Sequence, residues 1–414
     1  MQSTIYKFEL KKLFCSKVNV IAIAASAVML VLLVVSSIYE ARPVSREAAG
    51  ELNGRKIDDQ LMEEMQPIFK YVNGMTVFEV TEEYEKYVPV IDVLDVMITA
   101  IDRDIDLTKT QASTLYDLRK RVLAQRLESQ GLSEKDKEFW YSLEAQIETP
   151  FVYRYHRGPE NLLRAFQALG FFVLLLSAIG LSGSFARENA DRMNQLLLCS
   201  RYGKKELYTL KLVAGFTWIL AVAIIMFLSV MIPYFSVYGI EGMREMLQLV
   251  KPLSMLPYSI GHMLAIYFGI YLLAAVLFAA VTMMLSVITQ NQSATVCGLM
   301  GYLLIDLFVE IPDRYKLIQK IWSLRPNAIL MNSGFSNYRL FHLADKYLLS
   351  YQAAPVVYFA IVIAALLAGR QIYCRLQIGK QSHYGIIRQK SPSRLPNIAV
   401  NRGILRQNKS VRKG

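Results

Sequence analysis

The sequence predicts an all-α polytopic membrane protein: six transmembrane helices, N-terminus and C-terminus inside, with a mainly helical extracellular domain inserted after the first span. Three observations predict it. Of 414 residues, 54% are hydrophobic, and the mean hydropathy is positive at +0.29. Apolar runs recur at about 20 residues, the length that crosses ~30 Å of hydrocarbon. Charge is also partitioned: residues 39–160 hold 16 Lys/Arg against 24 Asp/Glu, while the remainder holds 30 against 10. An acidic block and a basic remainder imply two compartments behind the net charge of +12.

Residues 1–38 read as an interfacial helix and the first span. In Met1–Ser16, Tyr6, Leu10, Leu13 and Phe14 recur at helical spacing, with Lys7, Glu9 and Lys11 elsewhere, the pattern of a helix lying in a membrane surface. The run Val18–Ile38 that follows exceeds a typical signal-peptide core, and no A-x-A site succeeds it. Five further spans follow at Ala165–Ser184, Leu212–Tyr234, Pro257–Ile288, Ser293–Phe308 and Ala354–Tyr373. The fourth exceeds what a bilayer needs, so tilt, protrusion or a bend at Pro257 is expected.

Orientation follows from Lys and Arg in the short loops. With the N-terminus inside, the cytoplasmic side receives Lys7, Lys11, Lys12 and Lys17, then Arg187, Arg192, Arg201, Lys204, Lys205 and Lys211. It also receives the basic tail 374–414; from Arg370 to Lys413 there are eleven basic residues and no acid. The outer loops 235–256 and 309–352 carry eight basic residues between them.

Residues 39–160 read as a small extracellular, mainly helical domain. Leu115, Leu118, Val122 and Leu123 share one side of a helix predicted over Thr110–Gln130. Ser133-Glu134-Lys135-Asp136 resembles a capping box opening a helix with Phe139, Trp140 and Leu143. Asp92, Asp95, Asp102, Asp104 and Asp106 fail the EF-hand register, lacking its Gly and its terminal Glu, and read as a solvated acidic face. The outer loop 309–352, with Trp322, Pro326 and several aromatics, suits short helices.

Between the second and third spans lies Phe185–Lys211, FARENADRMNQLLLCSRYGKKELYTLK. At 100° per residue, Ala186, Ala190, Met193, Leu196 and Leu197 fall on one face, and Arg187, Glu188, Asp191, Arg192, Asn194 and Gln195 on the other. Tyr202-Gly203 reads as its stop. Two readings stand: an ordinary amphipathic surface helix, or a greasy-backed helix whose charged ridge docks a partner protein.

Enzyme signatures are missing. No HExxH, GxSxG or His pair at ligand spacing occurs among His156, His262, His342 and His383, and neither Gly203-Lys204 nor Gly379-Lys380 sits in a phosphate loop. No cofactor or metal is expected, and any ATP-driven work belongs to another chain. The four cysteines, Cys15, Cys199, Cys297 and Cys374, show no framework spacing. Among ionisable residues in the spans, Asp306 stands out as a translocation or gate residue, against the alternative of an interfacial or helix-pairing Asp. Arg164, His262 and Glu310 sit at predicted outer ends. Ala178/Ser182, Gly180/Ser184, Ala364/Ala368 and Ala365/Gly369 are small pairs suited to close helix contact within or between protomers. The basic tail fits anionic headgroups better than nucleic acid.

Layout and local motifs together resemble the permease subunits of ABC-2 type ABC transporters, especially Gram-positive, Firmicutes-like members with an enlarged extracellular domain. Tyr6–Phe14 (YKFELKKLF) looks like that family's N-terminal elbow helix, and Thr149–Gly158 (TPFVYRYHRG) is like a segment before its second span. Residues 185–211 are similar to its coupling loop, with Glu188 in place of the acidic residue before the coupling helix and Lys211 in place of the basic residue opening the third span. The resemblance implies a separate ABC ATPase subunit docking on Arg187, Glu188, Asp191, Arg192 and Gln195. It further implies a second permease (homo- or heterodimer), a bacterial cell membrane location, and export of an amphipathic, peptide-like or drug-like substrate. The rival from another class is a membrane sensor whose extracellular domain binds a ligand and signals inward.

Overall fold

The computed structural model describes residues 2–40, 50–190, 205–309, 311–312, 314–330, 338–343 and 346–375, all within one compact unit spanning Met1–Leu376. The described chain is mostly helical. Helix α1 (Gln2–Phe14) is followed after two residues by α2 (Lys17–Glu40). The buried Asn19 closes the elbow: its Nδ2 donates to the carbonyl of Leu13 at 3.0 Å, satisfying an acceptor left over at the end of α1.

Residues 50–156 build most of a second core, while their Leu123, Leu127 and Trp140 join the main core of the apolar helices. Helix α3 (Asp59–Glu64) is capped by Asp58, which accepts from the Leu61 N–H at 3.0 Å. Strands β1 (Phe69–Val72) and β2 (Met75–Phe78) pair antiparallel, Val72 opposite Met75, across Asn73-Gly74. Both turn residues have positive φ, 53° and 83°, as a two-residue type I′ hairpin requires. Helices α4 (Val88–Ile101), α5 (Ala112–Ser129) and α6 (Glu134–Glu144) complete this part. The predicted cap at Ser133 is present, its Oγ accepting from the Asp136 N–H at 3.2 Å. Leu61, Met65, Val90, Leu94, Leu107, Leu115 and Phe151 form the centre of this core. Its hairpin is an addition to the helices expected there.

Helix α7 (Arg157–Leu181) continues after a break at Ser182 into α8 (Gly183–Ala190). Then come α9 (Lys205–Tyr238), α10 (Ile260–Thr289) and α11 (Gln292–Phe308). The short helices α12 (Lys316–Trp322) and α13 (Pro326–Leu330), the pair β3 (Phe341–Leu343) and β4 (Lys346–Leu348), and α14 (Ser350–Arg375) follow. Among the described residues, five helices are long and apolar enough to cross a membrane: Lys17–Tyr39, Arg157–Glu188, Lys205–Tyr238, Ile260–Thr289 and Ser350–Arg375.

The stretch expected as the fifth span, α11, is shorter than these at 17 residues, about 25 Å of helix. It is bounded by its Asn291 cap and by Val309, whose backbone is extended. Pro257 lies outside α10, which starts after the Ser259 cap, so no bend arises there.

α7, α9 and α10 form the centre of the bundle, with α2 and α1 against α9 and α14 against α10. Gly180 makes the α7–α9 contact possible, since a Cβ there would overlap the Trp218 indole, which is wholly buried. Ser177 and Thr282 hydroxyls meet at 3.1 Å between α7 and α10. The small-residue spacing of the second span therefore serves packing inside the chain, as does Gly369, whose place beside Tyr208 leaves no room for a Cβ. Outward faces of α2, α9 and α14 expose Ile21, Leu32, Ile225, Ile232, Phe359 and Leu367.

One residue fastens the 50–156 core to the loop between α9 and α10. Arg119 on α5 is fully buried. Its guanidinium holds both carboxylate oxygens of Glu144, and it donates to the carbonyls of Pro252 (2.5 Å) and Ser254 (3.2 Å). A planar fork of donors suits one carboxylate and two carbonyls at once. Tyr338 adds a second clamp, donating from its hydroxyl to Leu253 (2.7 Å) while its carbonyl accepts from Trp140 (2.6 Å).

Candidate functional site

Among the described residues, a concentration of buried charge lies where α1, α8 and α9 meet. Lys211, on the first turns of α9, is 3% exposed, and Glu188, near the end of α8, is 5% exposed. The Lys211 Nζ donates to a Glu188 carboxylate oxygen, to the Ser184 carbonyl at 2.9 Å and to Glu9 Oε2 at 3.4 Å. Lys12 of α1 stands 3.8 Å from Glu188. Two acids and two bases thus share one site, which is how charge survives burial: each head group stands against an opposite one.

The surroundings hold these groups in place. The Lys211 ammonium lies 5.5 Å from the Phe185 ring centroid, within cation–π range. Phe185, Tyr208 and Tyr373 pack mutually at 5.3–5.6 Å between centroids, joining α8, α9 and α14. The Tyr208 hydroxyl donates to the Leu366 carbonyl at 3.0 Å. At the α7–α8 break, Ser286 of α10 substitutes for helical partners. Its Oγ accepts from the N–H groups of Phe185 and Ala186 at 3.3 and 3.2 Å and donates to the Ser182 carbonyl at 2.6 Å. On α1, the Tyr6 hydroxyl donates to Thr217 Oγ1 at 3.1 Å, laying that helix along α9.

This geometry corrects one sequence expectation. Glu188 does not stand on a water-facing ridge; α8, resuming after the break at Ser182, turns it inward to Lys211. A buried carboxylate oxygen opposite a buried ammonium is a pairing that amphipathic plotting of a single segment does not register. Arg187 is partly exposed and donates from Nε to Gln292 at 3.0 Å. Asp191, Arg192 and Gln195 lie outside the described residues, as do the Tyr202-Gly203 stop and the tail after Arg375.

Asp306, read from the sequence as a gate residue or a helix-pairing Asp, has partners within the chain. It is buried at the end of α11, where its carboxylate takes the Arg325 guanidinium and the Asn327 amide, and its carbonyl accepts from Arg325 at 2.8 Å. Arg325 in turn stacks on Trp322, 3.8 Å from the ring centroid. Asp306 therefore ties α11 to the segment carrying α12 and α13.

Sequence reasoning missed Glu9, Lys12 and Asn19 as members of this region. A signal was present for Glu9, the single acid among the first seventeen residues, which also hold four lysines. Among the described residues, no group of three or more His, Cys, Asp or Glu is placed to hold a metal ion. Neither a family model, nor a curated protein, nor a solved structure matches the chain.

Proposed function

We propose that the chain is the membrane-spanning permease subunit of an ABC-2 type transporter. In this reading it exports an amphipathic, peptide-like or drug-like substrate with ATP hydrolysed by a separate subunit. The observation carrying this reading is the ion cluster of Glu9, Lys12, Glu188 and Lys211. It binds together α1, the end of α8 and the start of α9, the two helices that flank residues 191–204. A push on that segment by a partner reaches three helices at once, because the groups joining them are buried and paired rather than free to slide.

In this reading α11 also crosses, as the fifth of six spans, tilted little and served by local thinning of the bilayer. The termini lie inside a bacterial cell membrane, residues 50–156 lie outside, and a second permease completes the passage. Partner contact falls to Arg187, Asp191, Arg192 and Gln195, with Glu188 serving as the internal anchor. The test is purification of the tagged chain from its native membrane in mild detergent. A stoichiometric ATPase carrying a phosphate-binding loop is expected, lost on Asp191→Arg with Arg192→Glu at unchanged yield of the permease. A kinase in place of the ATPase, or none of either, moves the reading to the sensor.

A further inference from the structure

An open cleft of about 330 Å³ lies between α4 and the loop joining α9 to α10, walled by Val96, Ala100, Val250 and Leu253, with Asp95, Arg126 and Lys251 at its charged positions. It adjoins a second cavity of about 210 Å³ that shares Asp95 and Val96 and reaches Arg164 at the start of α7. Together they are of small-molecule size.

Two side chains of this cleft stand without an ion pair, the exposed Asp95 and the half-buried Lys251. Among the described residues, neither the Lys251 ammonium nor the Asp95 carboxylate forms an ion pair or a hydrogen bond, with each other or with any other group. Both line the same cavity, so their separation exceeds ion-pair distance while leaving them in reach of one ligand. Lys251 is half-buried, and burial together with the nearby Arg164 holds its ammonium below the usual lysine range, Glu160 opposing in part. A chain rarely leaves a desolvated cation unpaired without a use for it.

The wall that carries Lys251 is rigid. Arg119 grips the carbonyls of Pro252 and Ser254, Tyr338 grips Leu253, and Gln248 Nε2 donates to Ser254 and Leu256 at 3.2 and 2.9 Å. The Lys251 N–H itself is bonded to the Leu247 carbonyl at 2.8 Å. Such fixing holds the backbone that carries Lys251 at the cleft before any ligand arrives, which lowers the ordering cost of binding.

We propose that this cleft binds a small zwitterion of the amino-acid or dipeptide class. Its carboxylate meets Lys251, its ammonium meets Asp95, and an aliphatic side chain lies on Val96, Ala100 and Leu253. The apolar wall is short, matching one or two aliphatic side chains rather than acyl chains. The proposal stands on the cleft alone and does not depend on an ATPase partner.

Titration calorimetry on the full chain in detergent tests it, with leucyl-leucine as the probe. One saturable site is expected, weakened about tenfold or more when either terminus of the dipeptide is blocked, the scale of one lost charge-assisted contact. Asp95→Asn and Lys251→Gln should each cost a comparable factor without lowering the melting temperature, since neither side chain supports another. No binding, binding indifferent to both blocking groups, or binding of glycerophosphoethanolamine in place of the dipeptide overturns the assignment. Wild-type affinity in both variants overturns it too.

Discussion

Lys211 and Glu188 lie 23 residues apart in sequence and form an ion pair with both side chains nearly sealed from solvent. The pair is the point at which the second apolar helix, the third and the N-terminal elbow share one electrostatic centre. A buried pair of this kind is fragile in one direction only. Removing one member strands the other, whereas replacing both with apolar groups removes the desolvation cost along with the attraction.

Lys211→Met should therefore destabilise the protein strongly, by about 3–5 kcal/mol, with Glu188→Leu close behind. The double substitution should recover much of the loss. Thermal unfolding in detergent, arranged as a double-mutant cycle, reads the coupling directly. If the double variant is no better than the sum of the singles, Glu9 and Lys12 rather than this pair carry the junction.

How much of this was legible follows from the same residues. Long apolar runs announce helices, so the membrane segments stand out, but their ends do not. The second span begins at Arg157 because Glu160–Arg164 and the Asp92–Arg157 contact make a polar first turn compatible with helix, and residue composition cannot tell that from loop. The Ser133 cap is local chemistry and is visible as such. Asn73-Gly74 between alternating residues is an equally local hairpin signal, present in the sequence and passed over among the helical patterns around it. Gly180 signals close packing without naming Trp218, 38 positions on. Asp306 is ambiguous until Arg325 is seen beside it. Partner identity across a fold is the information that periodicity in one segment lacks.

Arg119 supplies a second prediction. Its fork serves one carboxylate and two backbone carbonyls in a site closed to water, so Arg119→Met leaves Glu144 without its partner and should cost about 3–5 kcal/mol. Arg119→Lys should rescue poorly, a single ammonium being unable to reach three acceptors in a plane. Limited proteolysis offers a local readout: cleavage between Val250 and Leu256 should rise sharply in both variants while the apolar helices stay protected. Unchanged protection of that loop in Arg119→Lys would show that charge alone, not fork geometry, holds it.

Lys251 gives a prediction with a sign set by titration. Its ammonium pKa is lowered in the folded protein by burial first and by Arg164 second, with Glu160 opposing; Asp95 and Arg126 line the same cleft. A depressed lysine means the unfolded chain binds the proton more readily than the native state. Below the folded value both states are charged and the native state carries the whole penalty. Between the folded value and the unfolded one near ~10.4, the native state has shed its proton while the unfolded chain keeps it, so stability rises with pH through that window. Lys251→Met removes the penalty. It should melt higher than the natural protein at pH 7, with the difference shrinking as pH climbs toward the ordinary lysine range, and it should fail to bind leucyl-leucine. Melting curves of the two proteins in one detergent across that range decide the matter. A lower melting temperature for the methionine variant at pH 7 would mean that the ammonium already has a stabilising partner, and that the cleft is not waiting for a ligand.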